Sequence, residues 1–123
     1  MNLSQIGQIA VHADNLERAV AFYRDTLGMK LIFQAPAGLA FFDCNGIRLM
    51  LSAVKEDTDE RISSMVYYKV DDINAAHDTL VSRGVTFVSK PHLIAKLPDH
   101  DLWMGFFRDS ENNMVGLMSE VRG

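Results

Sequence analysis

The stretch QIAVHADNLERAVAFYRDTLGM (residues 8–29) has the same pattern as MVYYKVDDINAAHDTLVSRGV (residues 65–85). Each begins with a short β-prone run and continues through acidic or amide residues that are suited to cap a helix. Apolar residues then recur at spacings of three and four, as in an amphipathic helix, until Gly28 or Gly84 is reached. The sequence therefore predicts a strand followed by a helix, twice.

A further strand and a hairpin are predicted after each helix. The strands restart at residues 30–33 and 86–88, and each is followed by two apolar runs around a polar turn. Asn45-Gly46 is a strong hairpin signal, and Asn112-Asn113 is a weaker one. The predicted fold class is α+β, with two tandem βαβββ modules, each a four-stranded mixed sheet with one helix on its convex face.

The predicted organisation is a single domain over residues 1–123. Module one covers about residues 3–54 and module two about residues 62–121, and the charged, non-periodic residues 55–61 form the predicted linker. A sheet with a helix on one face must bury its other face against something. We therefore expect the concave faces to pair, within one chain or across a dimer, and to form a ligand cup.

Composition and charge exclude several classes of protein. The chain has 123 residues, of which 48% are hydrophobic, and its one cysteine, Cys44, cannot form an internal disulfide. A net charge of −4 without a basic cluster disfavours nucleic acid as a partner. No apolar run approaches the roughly 20 residues that span a membrane, and the amino terminus lacks the pattern of a signal peptide. We expect a cytoplasmic protein with no membrane partner.

Two motifs resemble one protein family. Residues 15–28, NLERAVAFYRDTLG, resemble the first helix of the vicinal oxygen chelate (VOC) superfamily, the group of glyoxalase I, bleomycin-resistance proteins and extradiol dioxygenases. Residues 106–113, FFRDSENN, resemble its final-hairpin motif, usually Phe-x-Asp-Pro-Asp-Gly-Asn. The resemblance covers about residues 3–121. It implies the same tandem modules and a homodimer, and in some members the modules are exchanged between chains.

The resemblance also implies four sheet positions that hold a divalent metal in the family's enzymes, where they carry His, Gln or Glu. In this chain they fall on Gln8, Met50, Met65 and Gly116. A thioether is a soft, uncharged donor and glycine offers no side-chain donor, so three of the four positions are lost. We therefore predict no metal and no other cofactor, although a divalent metal is the family expectation, and whether the protein is an enzyme stays open.

Strand alternation indicates which side chains would line the predicted cup. Methionines would form an adaptable floor, and polar groups would form its rim. The alternative is that the methionines fill the space of the lost metal and close the cup as ordinary core. The candidate ligand-binding residues are Gln8, His12, Arg48, Met50, Met65, Tyr67, Lys69, Trp103, Met114 and Gly116.

Residues 91–103, PHLIAKLPDHDLW, are predicted to form a long loop over the mouth of the cup. His100, oriented by Asp101 or Asp99, is a candidate acid/base group, and Trp103 is a candidate aromatic wall. The candidate catalytic residues are thus His100, Asp101 and His12. The alternative is a surface loop without a functional role. A new metal site around His100 and His92 has no recognisable ligand spacing.

The sequence supports three functions. The leading one is binding of a small organic molecule, aromatic or apolar, without the usual metal, for sequestration, sensing or delivery. The alternative is a lyase, isomerase or dioxygenase relative that uses the relocated groups His12, His100 and Asp101 or a non-standard metal site. The third is a closed cup that serves only dimerisation or partner binding. Elemental analysis together with turnover assays tests the first, a bell-shaped pH–rate profile that His100→Ala abolishes tests the second, and the absence of a cavity of even a few hundred Å³ would favour the third.

Overall fold

The computed structural model of the chain describes residues 1, 4–36, 38–54 and 65–122. The chain divides into two units, Met1–Arg61 (unit 1) and Ile62–Gly123 (unit 2). Each unit has the order βαβββ, so the predicted α+β fold with tandem βαβββ modules is confirmed. The predicted linker at residues 55–61 lies outside the described residues.

Side-chain caps start both helices. Oδ1 of Asn15 accepts a hydrogen bond from the Arg18 backbone N–H at 3.1 Å, and Oδ1 of Asp72 accepts one from Ala75, also at 3.1 Å. These bonds satisfy N–H groups that have no partner within the helix. Helix α1 covers Leu16–Ala21 and continues as a π-helical segment over Phe22–Thr26, and α2 covers Ile73–Ser82.

The first helix was predicted as a regular α-helix, but its last turn is π-helical and therefore wider. After Ala21 the hydrogen bonds reach back five residues, from the Leu27 N–H to the Phe22 carbonyl at 2.9 Å. Tyr23 lies in this wider turn and is almost fully buried, with its ring 6.1 Å from that of Phe42. The helix thus contributes an aromatic side chain to the core of unit 1.

Unit 1 contains four strands, β1 Gln8–His12, β2 Lys30–Ala35, β3 Leu39–Cys44 and β4 Ile47–Ser52. They form a mixed sheet in the order β1-β4-β3-β2. Strands β1 and β4 are parallel, and the other two pairs are antiparallel. The helix packs on one face, where Val20, Phe42, Leu49 and Leu51 belong to the core.

Unit 2 repeats this topology with longer antiparallel strands. Its strands are β5 Val66–Lys69, β6 Phe87–Lys96, β7 Asp101–Arg108 and β8 Met114–Val121. Its sheet has the order β5-β8-β7-β6, with β5 and β8 parallel. Phe107, Val115 and Leu117 are buried on the face that packs against α2.

The prediction of a long loop at residues 91–103 is wrong. Strand β6 continues to Lys96, and a short turn closed by the Leu97 N–H and the His100 carbonyl, 2.8 Å apart, leads directly into β7. Pro91 is tolerated inside β6 because β6 is an edge strand. Register shifts between Phe87 and Ala95 interrupt the regular pairing of β6 with β7.

No helix within the described residues is both long enough and apolar enough to span a membrane.

Candidate functional site

Each sheet has a face opposite its helix, and we call this its far face. In β1, Ile9 and Val11 pack against the core of unit 1, so the alternate residues Gln8 and His12 lie on the far face. The parallel register pairs Gln8 of β1 with Arg48 of β4, and the pairing continues residue by residue along both strands. Four of the predicted ligand-binding residues therefore share the far face of unit 1, namely Gln8, His12, Arg48 and Met50.

An aromatic pair lies on this same face. Phe41 is paired with Met50 in the β3–β4 register, and its ring stacks on that of Phe33, with centroids 4.7 Å apart and an interplanar angle of 23°. The Arg48 guanidinium carbon lies 5.4 Å from the centre of the Phe41 ring, within range of a cation–π contact. Phe33 is 47% exposed, so the stacked pair presents an aromatic surface to solvent.

The sequence-based candidates omitted Phe33 and Phe41. Alternation along β3 was enough to find Phe41, because the buried residues Ala40 and Phe42 flank it and it faces Met50 across the hairpin. Phe33 was harder to assign, since the register between β2 and β3 shifts between Leu31 and Phe33. Strand periodicity alone does not locate such a shift.

The far face of unit 2 contains a second aromatic pair. Tyr67 is paired with Gly116 in the parallel register, and Gly116 is paired with Phe106 on its other side. The rings of Tyr67 and Phe106 meet edge to face, with centroids 6.0 Å apart. Tyr67 is 43% exposed. Phe106 was also missing from the candidates, although its pairing with Gly116 follows from the final hairpin.

The Tyr67 ring lies directly against Gly116. A Cβ atom at position 116 would be 2.6 Å from Cδ2 of Tyr67 and 2.9 Å from Cε2, which is closer than van der Waals contact permits. The ring therefore occupies the space that any side chain at position 116 would enter.

Charged groups on the far face of unit 2 are paired with one another. Nζ of Lys69 lies 3.5 Å from Oε1 of Glu120, and Nη2 of Arg122 lies 3.1 Å from the same oxygen. The hydrogen bond from Arg122 is the main cause of a lowered pKa for Glu120, and the charge of Lys69 acts in the same direction.

Met114 lies on this face at the start of β8, and Met65 directly precedes β5.

Trp103 is not on the far face. Its cross-strand neighbour is Ser119, which alternates with the far-face residues Met118 and Glu120 and is buried on the helix side. Trp103 lines a cavity of about 360 Å³ beside the first turn of α2, with Ser119 and Val121. Trp103, which was predicted to form an aromatic wall of the cup, therefore lies on the opposite side of the sheet from Tyr67. It was predicted to lie in a loop, but it lies in a β-strand, in which alternate side chains point to opposite faces.

The candidate catalytic groups form local pairs. Nδ1 of His100 lies 2.8 Å from Oδ1 of Asp99, and Nε2 of His12 lies 2.9 Å from Oδ1 of Asp14. The hydrogen bond with His100 is the main cause of a lowered pKa for Asp99. Of the two orienting groups predicted for His100, the structure places Asp99 in contact, whereas Asp101 begins β7. The His100 side chain is only 13% exposed.

The four residues at which the family resemblance predicts metal ligands do not fit a divalent cation. In unit 1, Nε2 of Gln8 points at the Met50 thioether, 3.7 Å away, so this pair offers one amide oxygen and one soft sulfur. In unit 2, Met65 offers another thioether, and position 116 is both without a donor and covered by Tyr67. In the part of the chain that the structure describes, no three His, Cys, Asp or Glu side chains are grouped to hold a metal ion.

The chain is thus a protein of two βαβββ units, and the far faces of these units carry aromatic, methionine and amide side chains. Residues 5–117 match the model of the glyoxalase/bleomycin resistance protein/dioxygenase superfamily. The chain belongs to this superfamily, and the predicted family resemblance is confirmed.

Individual relatives agree with this assignment. A glyoxylase-like domain-containing protein of Didymella fabae is 30% identical over 118 residues, which cover 89% of this chain and 88% of that protein. The protein YraH of Bacillus subtilis is 25% identical, with 88% of this chain and 92% of YraH covered. The crystal structure of lactoylglutathione lyase from Agrobacterium tumefaciens superposes with a TM-score of 0.75 at 22% identity, covering 94% of this chain and 93% of that one. At that identity the superposition shows the fold alone.

Proposed function

We propose that the protein binds a small, planar organic molecule on the far-face aromatic surfaces, without a divalent metal. The observation that carries this proposal is the Tyr67 ring lying on Gly116, 2.6 Å from where a Cβ would be. A position that holds a metal ligand in the family's enzymes is replaced by an exposed aromatic surface. Binding would then serve sequestration, sensing or delivery.

The chemistry of the far faces supports a planar guest. Phe33 and Phe41 in unit 1, and Tyr67 and Phe106 in unit 2, are paired in the stacked and edge-to-face geometries that aromatic rings prefer. The thioether of Met50 adds a soft contact that adapts to irregular apolar shapes. Offset stacking on such rings contributes free energy to binding beyond the area that is buried.

The metal-free part of the proposal is tested by elemental analysis. Protein purified without added metal is dialysed against Zn²⁺, Ni²⁺ or Mn²⁺, and the bound metal is then measured per chain. We expect far less than one ion per chain and no change in melting temperature on adding a chelator. One tightly bound divalent ion per chain would overturn this part of the proposal.

The binding part is tested with 2-naphthamide, a neutral planar probe, by calorimetric titration. We expect saturable binding that Phe41→Leu and Tyr67→Leu each weaken, because leucine keeps apolar bulk but removes the ring. Trp103→Phe is the matched control, since Trp103 lines the cavity on the helix side. The proposal fails if the probe does not bind, or if only the Trp103 variant loses binding.

A second candidate function is catalysis by relocated acid/base groups. The observation that favours it is the 2.8 Å contact between the largely buried imidazole of His100 and the Asp99 carboxylate, because a carboxylate orients such a base. This function requires a bell-shaped dependence of turnover on pH that His100→Ala abolishes while the fold is retained. Turnover that is unchanged by His100→Ala would eliminate it.

The homodimer that the family resemblance implies is also part of the proposal. Strand β6 is an edge of its sheet and exposes Val88 and Ile94, at 58% and 45% of their surface. Exposed apolar side chains such as these are candidates for burial against a second chain.

A further inference from the structure

Arg48 is the feature of the far faces that the proposed function does not yet use. The guanidinium lies 5.4 Å from the Phe41 ring centre, and Phe41 stacks in turn on Phe33. Arg48 is exposed, and among the described residues it forms no ion pair. Asp43, its neighbour across the hairpin, instead accepts a hydrogen bond from the Gly46 N–H in the β3–β4 turn at 3.2 Å.

The geometry of a stacked guanidinium leaves its hydrogen-bond donors available. A cation–π contact uses the face of the planar group, whereas its N–H donors point outward in the plane. Those donors match the two oxygens of a carboxylate, which arginine binds in a bidentate manner. A stacked arginine beside an exposed aromatic pair therefore presents an aromatic surface next to an anion-binding edge.

The far face of unit 2 lacks this combination. Its cation Lys69 already contacts Glu120 at 3.5 Å, and Glu120 also accepts a hydrogen bond from Arg122 at 3.1 Å. An anion that approached Lys69 would have to compete with this carboxylate. Of these two far-face cations, only Arg48 is without a described carboxylate partner, so the preference for an anion is assigned to unit 1.

From these observations we infer that the far face of unit 1 selects a planar aromatic anion, with its ring across the exposed edges of the Phe33 and Phe41 rings and its carboxylate on Arg48. The inference rests on the proposed function and names the charge and class of its ligand. Gln8 lies beside Arg48 in the parallel register, so its amide is placed to contribute a neutral hydrogen bond near the carboxylate.

The test compares two probes of one shape, 2-naphthoate and 2-naphthamide, by calorimetric titration at low ionic strength. We expect the wild type to bind the carboxylate about tenfold more tightly than the amide, because a charge-assisted contact is stronger than a neutral one. Arg48→Gln should remove this preference, so that the ratio of the two affinities falls to about one. Arg48→Lys should restore part of it, since lysine keeps the charge but not the planar fork.

The matched control is Arg24→Gln, which removes the same charge from the helical side of unit 1. Arg24 is exposed and forms an ion pair with the adjacent Asp25, so its loss should leave the preference at the wild-type value. Circular dichroism melting of each variant establishes that the fold is retained. Added salt should reduce the preference of the wild type, because exposed charges are screened.

The outcomes separate the two proposals. If both probes bind with equal affinity to the wild type, or if Arg48→Gln keeps the preference, the inference about Arg48 is wrong and the proposed function stands. If neither probe binds, the proposed function fails together with the inference. If Arg24→Gln removes the preference as well, selection follows net charge, and the assignment to Arg48 is wrong.

Discussion

The ring of Tyr67 occupies the position that a side chain at Gly116 would have to enter, with Cδ2 only 2.6 Å from the place of a Cβ atom. The two residues are direct neighbours in the parallel β5–β8 pair. Gly116 is therefore required by the packing of Tyr67, and Tyr67 in turn covers a position at which the family resemblance predicts a metal ligand. A donor side chain at position 116 and the present position of the Tyr67 ring exclude each other.

Substituting Gly116 tests this relationship. Gly116→Ala should destabilise the protein by about 1–2 kcal/mol, because the added methyl group forces the Tyr67 ring out of its position. In a Tyr67→Ala background the same substitution should instead stabilise by about 0.5–1 kcal/mol, since alanine is favoured over glycine within a strand. Urea unfolding of the four proteins measures both effects. The same sign in both backgrounds would contradict the packing role of Tyr67.

The turn between β7 and β8 depends on a buried carboxylate. Oδ1 of Asp109 accepts hydrogen bonds from the N–H groups of Glu111 and Asn113, each at 2.8 Å, and Oδ2 accepts one from the Asn113 amide at 2.9 Å. Asp109→Ala should lower the free energy of unfolding, measured with urea, by about 2–4 kcal/mol, because these donors lose their acceptor in a mostly buried turn.

The repeat supplies a matched control for Asp109. Asp43 stands in the corresponding turn of unit 1, but it is exposed and accepts one backbone hydrogen bond, from Gly46 at 3.2 Å. Asp43→Ala should therefore cost less than about 1 kcal/mol in the same unfolding measurement. Equal losses for the two variants would show that burial of the turn does not set the difference.

The contact between His100 and Asp99 predicts a shift in titration. The hydrogen bond with His100 lowers the pKa of Asp99, and the positive charge of Arg122 lowers this pKa further. A carboxyl whose pKa is lowered in the folded state stabilises the fold above its ordinary pKa, about 4, and this contribution is lost as the pH falls through the lowered value. The contribution to stability should be small because Asp99 is exposed.

Replacing His100 gives the direct measurement. His100→Ala should raise the pKa of Asp99 toward its ordinary value, as followed by carbon NMR of the carboxyl group. His92→Ala is the control, because Nδ1 of His92 contacts the Lys90 carbonyl at 2.7 Å and not a carboxylate. A pKa of Asp99 that does not change in the His100 variant would mean that the hydrogen bond is absent in solution.

The proposed dimer is tested at the exposed edge of β6. We expect light scattering to give twice the 13.8 kDa mass of one chain for the wild type. Val88→Lys and Ile94→Lys together should produce a monomer, because the contact would then have to bury two charged groups in place of apolar ones. Val81→Lys, on the exposed side of α2, should remain a dimer. A monomeric wild type would refute the proposed dimer, and a dimeric double variant would place the interface elsewhere.

The sequence by itself determined most of the helices and strands and most of their buried and exposed faces. Caps at Asn15 and Asp72, the glycines after the helices and the Asn-Gly turn act within a few residues, so local chemistry is enough to predict them. The period of two in a strand then places Gln8 and Arg48 on one face without knowledge of the partner strands.

Only the tertiary structure decided the features that depend on neighbours distant in sequence. Pro91 is accepted inside a strand because the order of the sheet leaves β6 at an edge, and the resulting strand sends Trp103 to the helix side. The choice of Asp99 over Asp101 beside His100, and the Tyr67 ring on Gly116, depend on turn geometry and side-chain packing. Sequence spacing alone does not predict these contacts, because each of them depends on which distant or neighbouring atoms the fold brings together.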